Sequence, residues 1–250
     1  SADQNMAWIH HGGGQALYDE LLQNLGLNLV GFFCMPMPAQ PLGWFKKEIK
    51  TSEDMKGLKY RTVGLATDLM QAMGVKVTQL SGGEIVPALE RGVIEAFEYN
   101  NPTSDSRFGA QDVSKHYHLC SYHQASEFFE IMVNKGKFDA LPDEHKAIIK
   151  YAAEAASSAN YWKGQDLYSK DLQWLQEKAG VNVYRTPKGV LEDQLKAWDQ
   201  LLVELEKDPF FAKVVASQKE FAKRVAYYDL TNAPDYKLAY DHYFPGTLKF

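Results

Sequence analysis

Between residues 40 and 101 short apolar runs alternate with short amphipathic ones, and this alternation restricts the fold more than any other feature of the chain. Residues 58–63, 75–80 and 93–98 read as strands, with helices at 66–73 and 84–91 between them. Such spacing builds βαβ units and parallel strand pairs. The punctuation agrees. Thr51, followed by Asp54, marks the start of a short turn that Gly57 ends, and Gly74 ends the first helix. Ser81 caps the second helix, whose Pro87 sits near its first turn, where proline is tolerated. Open α/β sheets bind ligands beyond the carboxyl ends of their strands. Arg61, Gln40 and Glu98 fall at or near such ends, so these three side chains form the candidate site.

The remaining patterns frame that stretch. Residues 15–26 read as a helix with Leu17, Leu21, Leu22 and Leu25 on one face and Gly26 as its stop. Residues 27–33 read as a buried strand, followed by a Pro- and Met-rich loop at 35–42 that carries Gln40. Asn100-Asn101-Pro102 breaks the strand that ends at Glu98. A further strand is expected at 128–133. The longest helical pattern covers 142–179, a length that suits a helix serving more than one lobe. A strand at 181–184 and helices at 188–206 and 209–227 follow. The Tyr-rich tail predicts a docked terminal helix near 236–242.

The chain has 250 residues and a formal net charge of -5. No basic stripe is present, which argues against nucleic acid as a partner. No apolar run reaches the roughly 20 residues that span a bilayer. The polar start, Ser1-Ala2-Asp3-Gln4-Asn5, gives no signal peptide, an absence that a mature exported protein shares. The two cysteines, Cys34 and Cys120, lack metal-ligand spacing and read as small core residues, with a single disulfide as the alternative.

Several side chains carry candidate chemistry. The guanidinium fork of Arg61 suits a carboxylate held by two hydrogen bonds; a structural ion pair is the plainer account. Glu98 ends an apolar strand and suits a hard cation with help from a main-chain carbonyl, or else it is a solvated strand end. His116-x-His118 places two imidazoles on one side of a strand, where a metal pair is one reading, although no third ligand is evident. His10, His11 and His123 are equally unsupported as ligands. Gly12-Gly13-Gly14 before a helix could cradle an anion but lacks the phosphate-loop lysine, so a turn is expected. The pairs Asp143-Glu144 and Glu192-Asp193 lie at helix starts, where they complement the helix dipole. No serine occupies a nucleophile elbow and neither cysteine has a base beside it, so nothing argues for catalysis.

Three stretches together resemble a known family: Trp44-Phe45-Lys46-Lys47-Glu48-Ile49, Gly57-Leu58-Lys59-Tyr60-Arg61, and Gly82-Gly83-Glu84-Ile85-Val86-Pro87-Ala88-Leu89-Glu90-Arg91-Gly92. They resemble the extracytoplasmic solute receptors of TRAP transporters, and within these the receptors for α-keto acids. The resemblance runs from about Ala7 to about Asp229. It implies an α/β, two-lobed periplasmic binding protein with one long lobe-spanning helix. It divides the chain into 1–26, a remnant of the first lobe and a crossing helix; 27–99, the second α/β lobe; 100–141, a return to the first lobe; 142–179, the spanning helix; and 180–250, a second-lobe strand and C-terminal helices. It also implies that much of the first lobe is missing on the N-terminal side, which would expose a sheet edge to pairing.

The resemblance further implies that Arg61 pairs with a ligand carboxylate. A bound cation, sodium or calcium, would be held by Gln40, Glu98 and the carbonyl of Tyr99, with Asn100 beside it on the ligand. Tyr99 stands where these receptors usually carry Trp, and Gln124 where an acidic cation ligand is expected. No organic cofactor is implied. The function so implied is transport: capture in the periplasm of a small 2-oxo or 2-hydroxy monocarboxylate such as pyruvate or lactate, for delivery to TRAP membrane subunits. The Tyr-rich tail leaves a homodimer open. Two other readings stand beside it. One is a metal-assisted lyase or hydrolase acting on a keto acid, with His118 or His123 as base. The other is a sensor or interaction module with a truncated lobe.

Overall fold

The computed structural model describes residues 1–248. The chain opens with α1 (Ala2–His11) and α2 (Gly14–Asn24), then β1 (Leu29–Met37), β2 (Gly43–Phe45), β3 (Lys59–Arg61), α3 (Leu65–Ala72), β4 (Lys76–Thr78), α4 (Ile85–Glu90) and β5 (Ala96–Phe97). It continues through α5 (Pro102–Phe108), α6 (Ala110–Val113), β6 (His116–Leu119), β7 (Glu127–Asn134), α7 (Lys135–Asp139) and α8 (Asp143–Glu177). It closes with β8 (Asn182–Arg185), α9 (Lys188–Leu205), α10 (Pro209–Asn232) and α11 (Tyr236–Tyr243). The local signals act as their chemistry dictates. Thr51 with Asp54 and Ser81 with Glu84 close reciprocal capping boxes over short 3-10 turns. Helix α1, which no apolar periodicity announces, is started by a capping box between Ser1 and Gln4.

Six strands form one mixed sheet in the order β4-β3-β5-β2-β6-β8. Strand β3 runs parallel to both β4 and β5, whereas β2 is antiparallel to β5 and β6. The chain therefore leaves β3 in one direction through α3 to β4 and returns through α4 to β5 on the other side. This reversal places the crevice beyond the carboxyl ends of β3 and β5. Strand alternation sends Trp44 and Phe97 to one face and Phe45 and Ala96 to the other, so each face is covered by helices. The first face packs Ile85 and Leu89 of α4, Ala110 of α6 and Leu175 of α8. The second packs Met70 of α3 and Val190 of α9.

Strands β1 and β7 form a separate two-stranded antiparallel sheet, from Leu29 opposite Asn134 to Met37 opposite Glu127. The other edge of β7 meets no strand among the described residues. Helix α8 links the two sheets. Its Ser157 accepts the Met35 N–H of β1 at 3.1 Å, and its Leu175 sits in the core of the six-stranded sheet. At about 1.5 Å per residue, 35 residues extend roughly 50 Å.

The sequence-based segmentation changes in three places. Strand β1 was grouped with 27–99, yet it pairs only with β7, and it runs on through Pro36 into the expected loop. Strand β6 was grouped with the return at 100–141, yet it stays in the six-stranded sheet because both its edges are taken, by β2 and β8. Helix α11 forms where the tail helix was expected but does not dock: Tyr236 and Leu238 remain 72% and 70% exposed. The last two residues of the 180–250 segment lie outside the described residues. Cys34 and Cys120 are both free, which removes the disulfide alternative. Gly12 to Gly14 make a turn; a Cβ at Gly12 would strike the rings of Phe221 and Trp8, so close packing on α10 explains glycine there. Among the described residues no helix is long and apolar enough to cross a membrane.

Gly43 shows how tightly β2 is seated against the carboxyl end of β5. Its φ is +135°, and a Cβ there would overlap the carbonyl oxygen of Phe97. Gly43→Ala is expected to lower stability by about 1–3 kcal/mol, since both backbone strain and a main-chain clash are introduced. Urea unfolding of the two proteins measures it, and an unchanged midpoint would contradict the account.

Candidate functional site

Arg61 ends β3 and Glu98 follows β5, and the parallel pairing of these strands brings the two side chains together. Both are buried, at 6% and 2% exposure. The Arg61 Nη1 donates to Glu98 Oε1 at 2.9 Å and to the Glu98 carbonyl at 3.0 Å, while Nε donates to the Leu80 carbonyl at 2.9 Å. The Nη2 group makes no hydrogen bond with the described residues, so half of the fork stays available. Burial pushes the Glu98 carboxyl up to about 7; Arg61 pulls it down, and the charges of Asp105 and Glu127 push it further up.

Tyr99 and Asn100 follow at the turn out of β5. The Tyr99 ring stacks on Phe108 at 4.6 Å. Asp105, fully buried, holds this turn. Its Oδ1 accepts the N–H groups of Asn100 and Asn101 at 3.0 and 3.1 Å. Its Oδ2 accepts Trp44 Nε1–H at 2.9 Å and the Tyr117 hydroxyl at 3.0 Å. Burial raises this carboxyl to about 6 against the pull of those four donors.

Gln40 is buried at the end of the segment joining β1 to β2, with its Nε2 donating to Glu127 Oε2 at 2.9 Å. Asn100 Nδ2 donates to the same oxygen at 2.8 Å. Burial raises the Glu127 carboxyl, and the two amide donors oppose the shift. Gln124 enters this cluster only through its main-chain carbonyl, which accepts the Gln40 N–H at 3.0 Å. The carboxylate beside Gln40 is therefore Glu127, three residues further on. The sequence reading missed it because Glu127 opens a strand and looks there like a polar end residue. Tyr99, Asn100 and Glu127 line an open cavity of about 560 Å³, with Arg107, Lys163 and Tyr168 on its walls.

The donors fit a hard cation. Gln40 Oε1 is buried with no hydrogen-bond partner, and an orphaned carbonyl oxygen is what such an ion takes. Glu98 pairs with the Arg61 guanidinium, and the carboxylates of Asp105 and Glu127 lie close enough for their charge to act on Glu98. Among the described residues no three His, Cys, Asp or Glu side chains group as a metal cluster. The available ligand set is thus amide, carboxylate and main-chain oxygens, which suits sodium or calcium over a soft metal.

The histidines do other work. His116 and His118 both stack on Tyr184, and His118 Nε2 accepts the Ile49 N–H at 3.1 Å. That nitrogen is not free for a metal. His123 bonds Ser121 through Nδ1 at 2.7 Å. Burial holds His118 and His123 down at about 4, so both are neutral core groups and not general bases poised near neutrality. The sign of the linkage follows. The folded values lie below the unfolded value of 6.5, so the unfolded chain takes up protons first as pH falls. The stability tied to neutral histidines is present above 6.5 and is lost as pH drops toward 4. Glu98 and Asp105, raised to about 7 and about 6, act in the opposite sense and cost stability as pH rises through those values. His123→Asn, which can keep the Ser121 hydrogen bond, is expected to lose less stability than the parent between pH 6.5 and 4, by on the order of 2 kcal/mol. Urea titrations at several pH values measure this; equal losses would refute the assignment.

The chain belongs to the bacterial extracellular solute-binding protein family 7, whose DctP profile matches residues 1–208. It is 31% identical over 238 residues to a monocarboxylate 2-oxoacid-binding periplasmic protein of Nostoc sp.. That match covers 95% of this chain but only 65% of the relative, so the chain spans less than two thirds of the relative's length. Solved TRAP transporter solute-binding proteins are also similar. One from Bordetella bronchiseptica, a mixed-occupancy dimer with copurified calcium and picolinate, shares 31% identity at a TM-score of 0.86, covering 97% of this chain and 70% of that one. One from Colwellia psychrerythraea, with bound calcium and pyruvate, shares 30% at 0.84 over 97% of this chain and 72% of that one. One from Pseudoalteromonas atlantica, with bound sodium and pyruvate, shares 30% at 0.83 over the same shares of each chain.

Proposed function

We propose that this chain is the ligand-capturing part of a TRAP transporter receptor for a small 2-oxo monocarboxylate of the pyruvate class. One observation carries the reading: a surplus of carboxylate charge, with Asp105 and Glu127 acting on the Glu98 that Arg61 pairs, accompanied by an orphaned amide oxygen on Gln40, whose nitrogen bonds Glu127. The surplus disfavours an anionic ligand unless positive charge is added. A sodium or calcium ion, held by Gln40 Oε1, Glu98, the Tyr99 carbonyl and Glu127, would supply that charge to the ligand carboxylate and its 2-oxygen. Glu127 takes the place expected for Gln124. Arg61, through its unbonded Nη2, holds a carboxylate oxygen, and Asn100 lines the cavity together with Tyr99 and Glu127. The calcium- or sodium-bound pyruvate complexes of the similar receptors support this choice of ligand and ion.

The work is capture without chemistry, in the periplasm, for delivery to TRAP membrane subunits. Both histidines that a lyase would need as bases are buried and neutral, which disfavours an enzyme. The apolar side chains exposed along α10 and α11, Leu230 at 83% and Leu238 at 70%, favour a homodimer formed through the tail. Leu230→Glu with Leu238→Glu is expected to yield monomers by light scattering; an unchanged mass would refute that contact.

Thermal shift tests the capture reading. Pyruvate with calcium or sodium is expected to raise the melting temperature of the parent, because a ligand that binds only the folded state stabilises it. Arg61→Ala is expected to lose roughly 2–5 kcal/mol of pyruvate affinity by calorimetry, much of it from leaving Glu98 and the ligand unpaired. No shift with any 2-oxo acid, with or without either ion, would reject the proposal.

A further inference from the structure

We propose that Asp105 is a positioning residue that aims the Tyr99 carbonyl into the cation site through the rigid peptide plane between Tyr99 and Asn100. The inference rests on the cation reading above. In a trans peptide the C=O and N–H of one unit point in opposite directions. The Asn100 N–H of this unit points at Asp105 Oδ1, 3.0 Å away. The Tyr99 carbonyl must therefore point away from Asp105, and no hydrogen bond to it is made by the described residues. The Asp105 carboxylate is anchored from behind by Trp44 Nε1–H and the Tyr117 hydroxyl, whose rings stack at 4.1 Å in the core. The second main-chain bond, from Asn101, stops the turn from rotating.

The same contact tunes the carbonyl. A carboxylate accepting the N–H polarises the amide and draws electron density onto its oxygen, since linked hydrogen bonds strengthen one another. A cation on that oxygen would strengthen the N–H bond to Asp105 in return. Groups that orient a metal ligand from outside typically set affinity by about 10- to 100-fold. The turn also fixes Asn100, whose side chain donates to Glu127, so one carboxylate places two members of the donor set.

The test is calcium alone, titrated by calorimetry into the parent, Asp105→Asn and Met70→Ala. Met70 belongs to the core on the opposite face of the six-stranded sheet from Trp44, Tyr117 and Tyr99, and its truncation is expected to lower the melting temperature. The expected result is a 10- to 100-fold weaker calcium affinity for Asp105→Asn and an affinity within threefold of the parent for Met70→Ala. A second readout needs no variant: the Asn100 amide proton of the parent should move downfield on calcium addition and exchange slowly without it. If the parent binds calcium but Asp105→Asn binds it equally, or the Asn100 amide does not respond, the positioning role is overturned and the cation reading stands. If both variants weaken calcium in step with their melting temperatures, Asp105 is a structural group only. If the parent binds neither calcium nor sodium, both readings fall together.

Discussion

Burying negative charge is the constraint on which this structure turns. The charges of Glu98, Asp105 and Glu127 act on one another where β5 ends, and among the described residues Glu98 alone of the three has an ion-pair partner, Arg61. Asp105 and Glu127 are held by dipoles: main-chain amides, an indole, a phenol and side-chain amides. Dipoles reduce the desolvation cost of a carboxylate without cancelling its charge. The raised carboxyl values at Glu98 and Asp105 are the trace of that remaining cost. The cation of the proposed function would relieve that cost.

The fold exists to bring those groups to one point. The reversal of direction at β3 sets the ends of β3 and β5 side by side, which delivers Arg61 and Glu98. Gly43 lets β2 press against the end of β5, which carries Trp44 to Asp105. The two-stranded sheet contributes from the other side, with Gln40 after β1 and Glu127 at the start of β7. The candidate site therefore lies where residues of the two sheets meet, and α8 packs on both. Receptors of this kind trap ligand between lobes that close, and the proposed donor set, shared between the two sheets, would couple ion binding to their relative position.

Much of this was legible in the sequence, and the gaps have physical causes. Glycines at helix ends, the capping boxes at Thr51 and Ser81 and the alternation across 58–98 are local signals, so the elements of the six-stranded sheet could be read. Arg61 and Glu98 were legible as strand-end residues, because the alternation that marks β3 and β5 also marks where they end. Strand partners are not local: nothing in 27–37 says that β1 pairs with a strand a hundred residues away, and the lobe boundaries moved for that reason. Glu127 was hidden by its polar neighbours and Asp105 by a stretch that reads as loop. Their roles come from what the fold sets beside them. The docked tail was expected from its tyrosines, yet tyrosine content alone does not name the surface that covers them.

The most direct test of the central claim is the linkage between ion and ligand. Pyruvate affinity should be measured by calorimetry across a range of calcium concentrations, and calcium affinity with and without saturating pyruvate. The account predicts that each strengthens the other by the same factor, as binding linkage requires, and that pyruvate binding fades when calcium and sodium are removed. Pyruvate binding that is tight and indifferent to either ion would contradict it, because the buried carboxylates would then have to tolerate a further anion unaided.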